Sequence, residues 1–180
     1  MFGLFSKKNK GIKVVDKIWI SDEAKFGACL EFNRSNPNVT FVAWFEETRS
    51  KLQAYFHENN LEEKVYLADY LNTAQANKEL VFVEHHPLAS EEQRKATEFG
   101  KDEITVLSSL SEPIFQLFGG GRIVDLMRKM GVKEDEMIEH TMISNSIKSA
   151  QEKIASKTLI SGSARSQADW LLNAGLNQQF

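Results

Sequence analysis

The chain has one cysteine, three prolines and no apolar run long enough to cross a bilayer. A single thiol excludes an internal disulfide and any multi-cysteine zinc site, and it fits a reducing compartment in which Cys29 serves helix packing. An excess of positive charge is also missing: 22 lysines and arginines stand against 25 acids, a net charge of −3. No global field draws such a chain to phosphate backbones, so nucleic acid is not an expected partner. Two catalytic signatures are absent as well. There is no Gly-x-x-x-x-Gly-Lys-(Ser or Thr) phosphate loop and no Gly-x-Ser-x-Gly nucleophile elbow. What the 180 residues do have is 42% hydrophobic and 26% charged side chains, enough for one substantial core with a helical appendage.

Apolar runs alternate with helical patterns through the first 110 residues. "KVVDKIWIS" (13–21) is rich in β-branched residues and closes at Ser21, a helix N-cap followed by Asp22 and Glu23. The helix it opens is expected to run to about Asn33. Val39 to Phe45 is almost continuously apolar, as expected of a central strand covered on both faces, and Leu52, Tyr55 and Phe56 then recur at helical spacing up to Asn59-Asn60. Val65–Leu71, Leu80–Val83 and Ile104–Leu107 supply three further strands. This order predicts an α/β fold, a mainly parallel sheet flanked by helices. One link is awkward: only residues 72–79 separate the third and fourth strands, short for a parallel crossover, so one of them is expected to be antiparallel or not a strand.

After residue 110 the period becomes helical. Ile114, Phe115, Leu117 and Phe118 form one cluster, and Ile123, Leu126, Met127 and Met130 recur up to Gly131, a C-cap. A further helix is expected from about Glu134 to Ser156, then a small, polar break at 160–169 and a short end helix with Trp170, Leu171 and Leu172. The organisation predicted is a flexible apolar and basic N-terminus (1–12), an α/β domain (13–110) and a C-terminal helical extension (111–180) that packs back on it. Gly119-Gly120-Gly121 lies between two apolar helices rather than after a strand, so it reads as a helix-to-helix joint and not a phosphate cradle.

The residues "ITVLSSLSEPIFQLFGGGRIVDLMRKMGVKEDEMIEHTMISNSIKSAQEKIASK" (104–157) resemble SecA, the ATP-driven motor of bacterial protein export. The resemblance rests on Ser111 and Glu112, Phe118, Arg122, the run Met127-Arg128-Lys129-Met130-Gly131, Glu139 and His140, and Ala150, Gln151 and Lys153. Upstream, "KIWISDEAKFGACLEF" and "VTFVAWFEETRSKLQAYF" are similar, more weakly, to the start of that motor's second RecA-like domain. The resemblance implies a RecA-like, P-loop-related domain joined to the start of a helical scaffold, a link to preprotein translocation, and a place in the cytoplasm or peripherally on the inner face of the membrane.

The departures from the family decide what is expected of catalysis. The arginine-rich segment of the second motor domain is replaced by "PLASEEQRKATEFGKDE" (87–103), whose one arginine, Arg94, stands among Glu91, Glu92 and Glu98. An arginine finger needs a free planar cation against the developing γ-phosphate charge. The expectation is therefore a non-catalytic accessory or interaction protein, a degenerate ATPase with no catalytic, cofactor or metal residues. The competing reading is an ATP-hydrolysing SecA-like subunit completed by a partner chain. Glu84, His85 and His86 invite a metal or acid-base role, but adjacent histidines at a strand end point in different directions and no third ligand stands at a recognised spacing. The expected partner is a protein, in the resemblance the export machinery. Contact residues are Arg122, Arg128 and Lys129, with Phe2, Leu4, Phe5, Lys7 and Lys8 placed to make a weak contact with anionic lipid.

Overall fold

A computed structural model describes residues 11–117, 119–139, 141–158 and 162–176. Five strands, β1 (Lys13–Trp19), β2 (Val39–Ala43), β3 (Val65–Leu67), β4 (Glu79–Phe82) and β5 (Glu103–Ser109), alternate with α1 (Asp22–Ser35), α2 (Glu46–Glu58), α3 (Thr73–Ala76) and α4 (Ala89–Glu98). Four more helices follow: α5 (Pro113–Gln116), α6 (Gly120–Lys129), α7 (Thr141–Lys157) and α8 (Gln167–Asn173). The strands form one sheet in the order β1-β5-β4-β2-β3, and every neighbouring pair is parallel. This is the α/β architecture, a parallel sheet flanked by helices, consistent with a RecA-like fold.

Strand β2 is buried at all five positions because both its faces are covered. Val39, Phe41 and Ala43 pack with Phe26, Cys29 and Leu30 of α1 and Leu52 and Phe56 of α2, while Val42 faces Ala68, Ala76 and Ala96 on the other side. Each such fully buried large side chain contributes about 1.5–3 kcal/mol. The helices after residue 110 make a third cluster. Ile114 and Phe115 of α5, Ile143, Ile147 and Ile154 of α7, and Trp170 and Leu171 of α8 pack on Ile18, Ile20, Phe45 and Leu110 at the carboxyl end of the sheet.

Several expectations need correction. The third strand is only three residues long and leaves the ladder at Leu67, so the connection Ala68 to Lys78 regains eleven residues and the third and fourth strands are both parallel to β2. The helix expected from Glu134 begins only at Thr141. Ile138 forms an antiparallel bridge with Ile18, its N–H donating to the Ile18 carbonyl at 2.7 Å, and burying Ile138 against the edge strand outweighs the helix propensity of the preceding acids. Trp44, expected within a strand, lies one residue past β2, half-buried and stacked on Phe82.

The glycine joint is tighter than flexible. Gly119 takes φ 87°, a left-handed conformation that favours glycine, and Gly120 opens α6 against the backbone of Phe115. A β-carbon on Gly120 would lie 2.9 Å from the Phe115 carbonyl carbon and oxygen, so only glycine lets α6 leave α5 at this distance. Gly131, expected as the C-cap, lies one residue past it: the C-cap is Met130, and Gly131 follows at φ 85°, the left-handed conformation that closes the helix.

Candidate functional site

In an open parallel sheet the ligand-binding loops converge at the carboxyl ends of the strands, where successive connections leave in opposite directions. Here that point lies between β2, whose chain continues to β3 on one side, and β4, whose chain continues to β5 on the other. The backbone N–H groups just after the strands are the donors that would hold an anion there. Among the described turns, three have such donors answered by the chain's own carboxylates. After β2, Glu84 accepts from Trp44 N and Phe45 N, both at 3.0 Å, and from the Thr48 hydroxyl at 2.7 Å. After β4, Glu92 accepts from His86 N at 2.9 Å, and at the last residue of β5, Glu112 accepts from Ser109 N at 2.9 Å. All three glutamates are buried.

Buried carboxylates need cations, and the fold supplies two. Lys25, 1% exposed, reaches Glu112 at 2.8 Å and Asp22 at 3.1 Å, while Ser109 donates its hydroxyl to Asp22 at 2.5 Å. Burial works against the ammonium, but the attraction of Glu112 and Asp22 outweighs it and holds the lysine pKa above its usual range. His85 lies between Glu92, 2.9 Å from Nδ1, and Asp16, 3.2 Å from Nε2. The second contact is within ion-pair range but poorly aligned for a hydrogen bond, so charge attraction carries it. Burial opposes protonation of this ring, yet the two carboxylates raise its pKa to about 10, leaving an imidazolium at neutral pH. Among the described residues, Glu84 makes no ion pair with a cation. Burial, reinforced by repulsion from Glu112, pushes it up to about 7.

The strand ends are also covered from above. Gln167 of α8 donates to the His85 carbonyl and Gln151 of α7 to the His86 carbonyl, both at 2.9 Å, while Ile114 N donates to Gln167 at 2.7 Å. Glu47 N, in the first turn of α2, donates to the Arg165 carbonyl at 2.9 Å. What stays open is a cleft of about 330 Å³ bordered by Trp44, Asp69, His86, Glu91, Arg94 and Trp170. His86 sits in an aromatic box of Trp44, Phe45 and Trp170, with ring centroids 5.1, 5.9 and 5.4 Å away. Its Nδ1 accepts from Leu88 N at 3.0 Å, and burial keeps its pKa low, so the ring is neutral. Arg94 is held by Glu91 at 2.8 Å and Glu98 at 3.5 Å. Glu92, expected to oppose Arg94 as well, instead turns inward to His85.

Of the expected contact residues, Arg122, Arg128 and Lys129 share α6 and are exposed, and Arg128 pairs with Glu134 at 2.8 Å. Phe2, Leu4, Phe5, Lys7 and Lys8 lie outside the described residues. The two histidines diverge as expected of neighbours at a strand end. Among the described residues, no cluster of three or more His, Cys, Asp or Glu could hold a metal ion, and no helix is long and apolar enough to cross a membrane. Sequence reasoning missed Lys25, Asp16 and Gln167, and named Glu112 only as a position of the SecA resemblance; the one local signal was the three-residue spacing of Asp22 and Lys25.

Comparison with curated proteins finds 51% identity over 49 residues to the protein translocase subunit SecA of Psychrobacter sp. (strain PRwf-1) and 49% over 49 residues to that of Acinetobacter baylyi. The chain carries a SecA-related region. The match covers 27% of this chain and 5% of the SecA proteins, and no family model matches the chain. The geometry around the strand ends is therefore read on its own terms.

Proposed function

We propose that this chain is a non-catalytic, SecA-related interaction protein in preprotein translocation: a motor-type domain kept as a scaffold, with its later helices used for docking. The observation that carries this reading is the internal occupation of the carboxyl edge. Where a nucleotide site needs free amides and positive charge, the turn donors are answered by Glu84, Glu92 and Glu112, and the helix-start amide of Glu47 by the Arg165 carbonyl. Buried acids at these points repel phosphate. Arg94, the candidate finger for a subunit completed in trans, is engaged by Glu91 and Glu98, which lower its value to an incoming γ-phosphate.

The likeness to the SecA region supports the translocation link, and export machinery is the proposed partner. A cytoplasmic place, with Phe2, Leu4 and Phe5 beside Lys7 and Lys8 giving weak contact to an anionic inner membrane face, belongs to the same proposal. The test is affinity capture with the full chain from the native membrane and cytoplasmic fractions. Recovery of translocation components is expected. Capture without them, alongside tight magnesium-dependent binding of a fluorescent ATP analogue, would reject the reading.

A further inference from the structure

Alternation along β1 puts the side chains of Ile12, Val14, Asp16 and Ile18 on one face of the sheet. Ile18 is sealed by the helices after residue 110, but Ile12 and Val14 are only half-buried. Above them α4 and α7 leave a cleft of about 370 Å³, a volume that suits a small molecule, with Ile12, Val14, Ala89 and Ile147 as its apolar walls. It shares no lining residue with the cleft beside Arg94.

Two buried polar atoms of this lining lack a hydrogen-bond partner among the described residues. They are Asp16 Oδ1 and His85 Nε2, on side chains 7% and 1% exposed. At 3.2 Å they attract each other but are too poorly aligned to satisfy each other. Ser144 lies near enough to favour the Asp16 carboxylate, yet no hydrogen bond reaches Oδ1. With Nδ1 held by Glu92, the His85 imidazolium has a proton on Nε2 to donate, and the Asp16 carboxylate can only accept. A buried donor and a buried acceptor left side by side favour one incoming group that answers both. A hydroxyl does so with a single oxygen, and a carboxamide with its C=O toward His85 and its NH2 toward Asp16.

Charge narrows the choice. The charged side chains of the lining are Asp16, Glu92, the His85 imidazolium and Lys148, two of each sign, and Lys148 is the exposed one. At the inner end the two carboxylates oppose an anion and the imidazolium opposes a cation. A neutral ligand meets neither penalty.

We infer that the cleft between β1, α4 and α7 binds a neutral small molecule with an apolar body and a hydroxyl or carboxamide end, the polar end bridging Asp16 and His85. This site is independent of the scaffold reading: its failure leaves the absence of ATP hydrolysis intact, and hydrolysis would leave the site intact. The test is NMR titration of the full-length chain with four probes that share one apolar body, isobutyramide, isobutanol, isobutyrate and isobutylammonium. The readouts are the His85 ring nitrogens and the backbone amides of Val14, Ser144 and Ile147. Expected are saturable shifts with the amide and the alcohol, with roughly millimolar affinity for ligands of this size, and binding about tenfold weaker for the two charged probes. Val14→Phe fills the cleft from the sheet and should abolish the shifts. Ser144→Leu fills it from α7, at a helical position that leucine suits, and gives the same result should the first variant fail to fold. Four results would overturn the assignment: no saturable shift with any probe, which leaves the Asp16–His85 pair to water alone; equal affinity for all four; tighter binding of a charged probe; or shifts that survive a folded cleft-filling variant.

Discussion

The carboxyl edge of the sheet and the α6–α7 face treat polar and apolar groups in opposite ways. At the edge, Glu84, Glu92 and Glu112 are buried, although burying an acid is costly unless it is hydrogen-bonded and compensated. On the α6–α7 face, Leu126, Met130 and Met142 remain in water although burial would be favourable. The contrast teaches where each region's business is finished. The strand ends, open to ligands in folds of this type, are satisfied from within, whereas the added helices leave large apolar side chains exposed.

The largest effect should come from breaking the edge. Lys25→Met removes the cation shared by Glu112 and Asp22 and leaves buried negative charge, so urea denaturation should show a loss of about 3–5 kcal/mol. Adding Glu112→Leu should recover much of that loss, because the double variant removes both charges. If Lys25→Met alone were neutral, the network would not hold the strand ends and the contrast would fail.

A smaller effect comes from pH. The folded-state pKa of Glu84, about 7, lies above its ordinary 4.5, so between those values the folded chain holds a proton that the unfolded chain has released. Stability should therefore fall as pH rises from about 4.5 to 7, with this one group contributing on the order of 2–3 kcal/mol. Glu84→Gln should flatten that part of the profile; an unchanged slope would remove Glu84 as its source. The smallest effect belongs to the other region. Leu126→Ser with Met130→Ser should change stability by no more than about 0.5 kcal/mol per site, since both side chains are already solvated. A loss of several kcal/mol would mean that these residues serve the fold.

How far the sequence foretold this molecule depends on the range of each interaction. Strand β2 was legible because burial on both faces leaves a continuous apolar run, and α8 was legible from Trp170-Leu171, although it begins at Gln167, capped by Ser166, inside the stretch 160–169 expected to be a break. The start of α7 was not legible, since Glu134 to Glu136 suit a helix and only a partner 120 residues earlier, Ile18, pulls Ile138 into a bridge. The candidate site was less legible still. Lys25 and Glu112 lie 87 positions apart, and nothing local marks either as buried. Glu91 and Glu92 look equivalent in sequence, but the turn of α4 sends Glu91 toward Arg94 and Glu92 inward to His85. Arg122, Arg128 and Lys129 were legible as members of one helix because their spacing is local.

The central claim, that this motor-type domain is a scaffold and not an engine, is tested most directly by phosphate release from purified full-length protein with magnesium and ATP, alongside the Arg94→Ala variant. Phosphoryl transfer needs placed phosphate donors, a metal site and a cation for the developing charge. The expected result is no turnover above the protein-free control for either protein. Multiple turnovers by the wild type, abolished by Arg94→Ala, would contradict the claim and make the cleft beside Arg94 an active site.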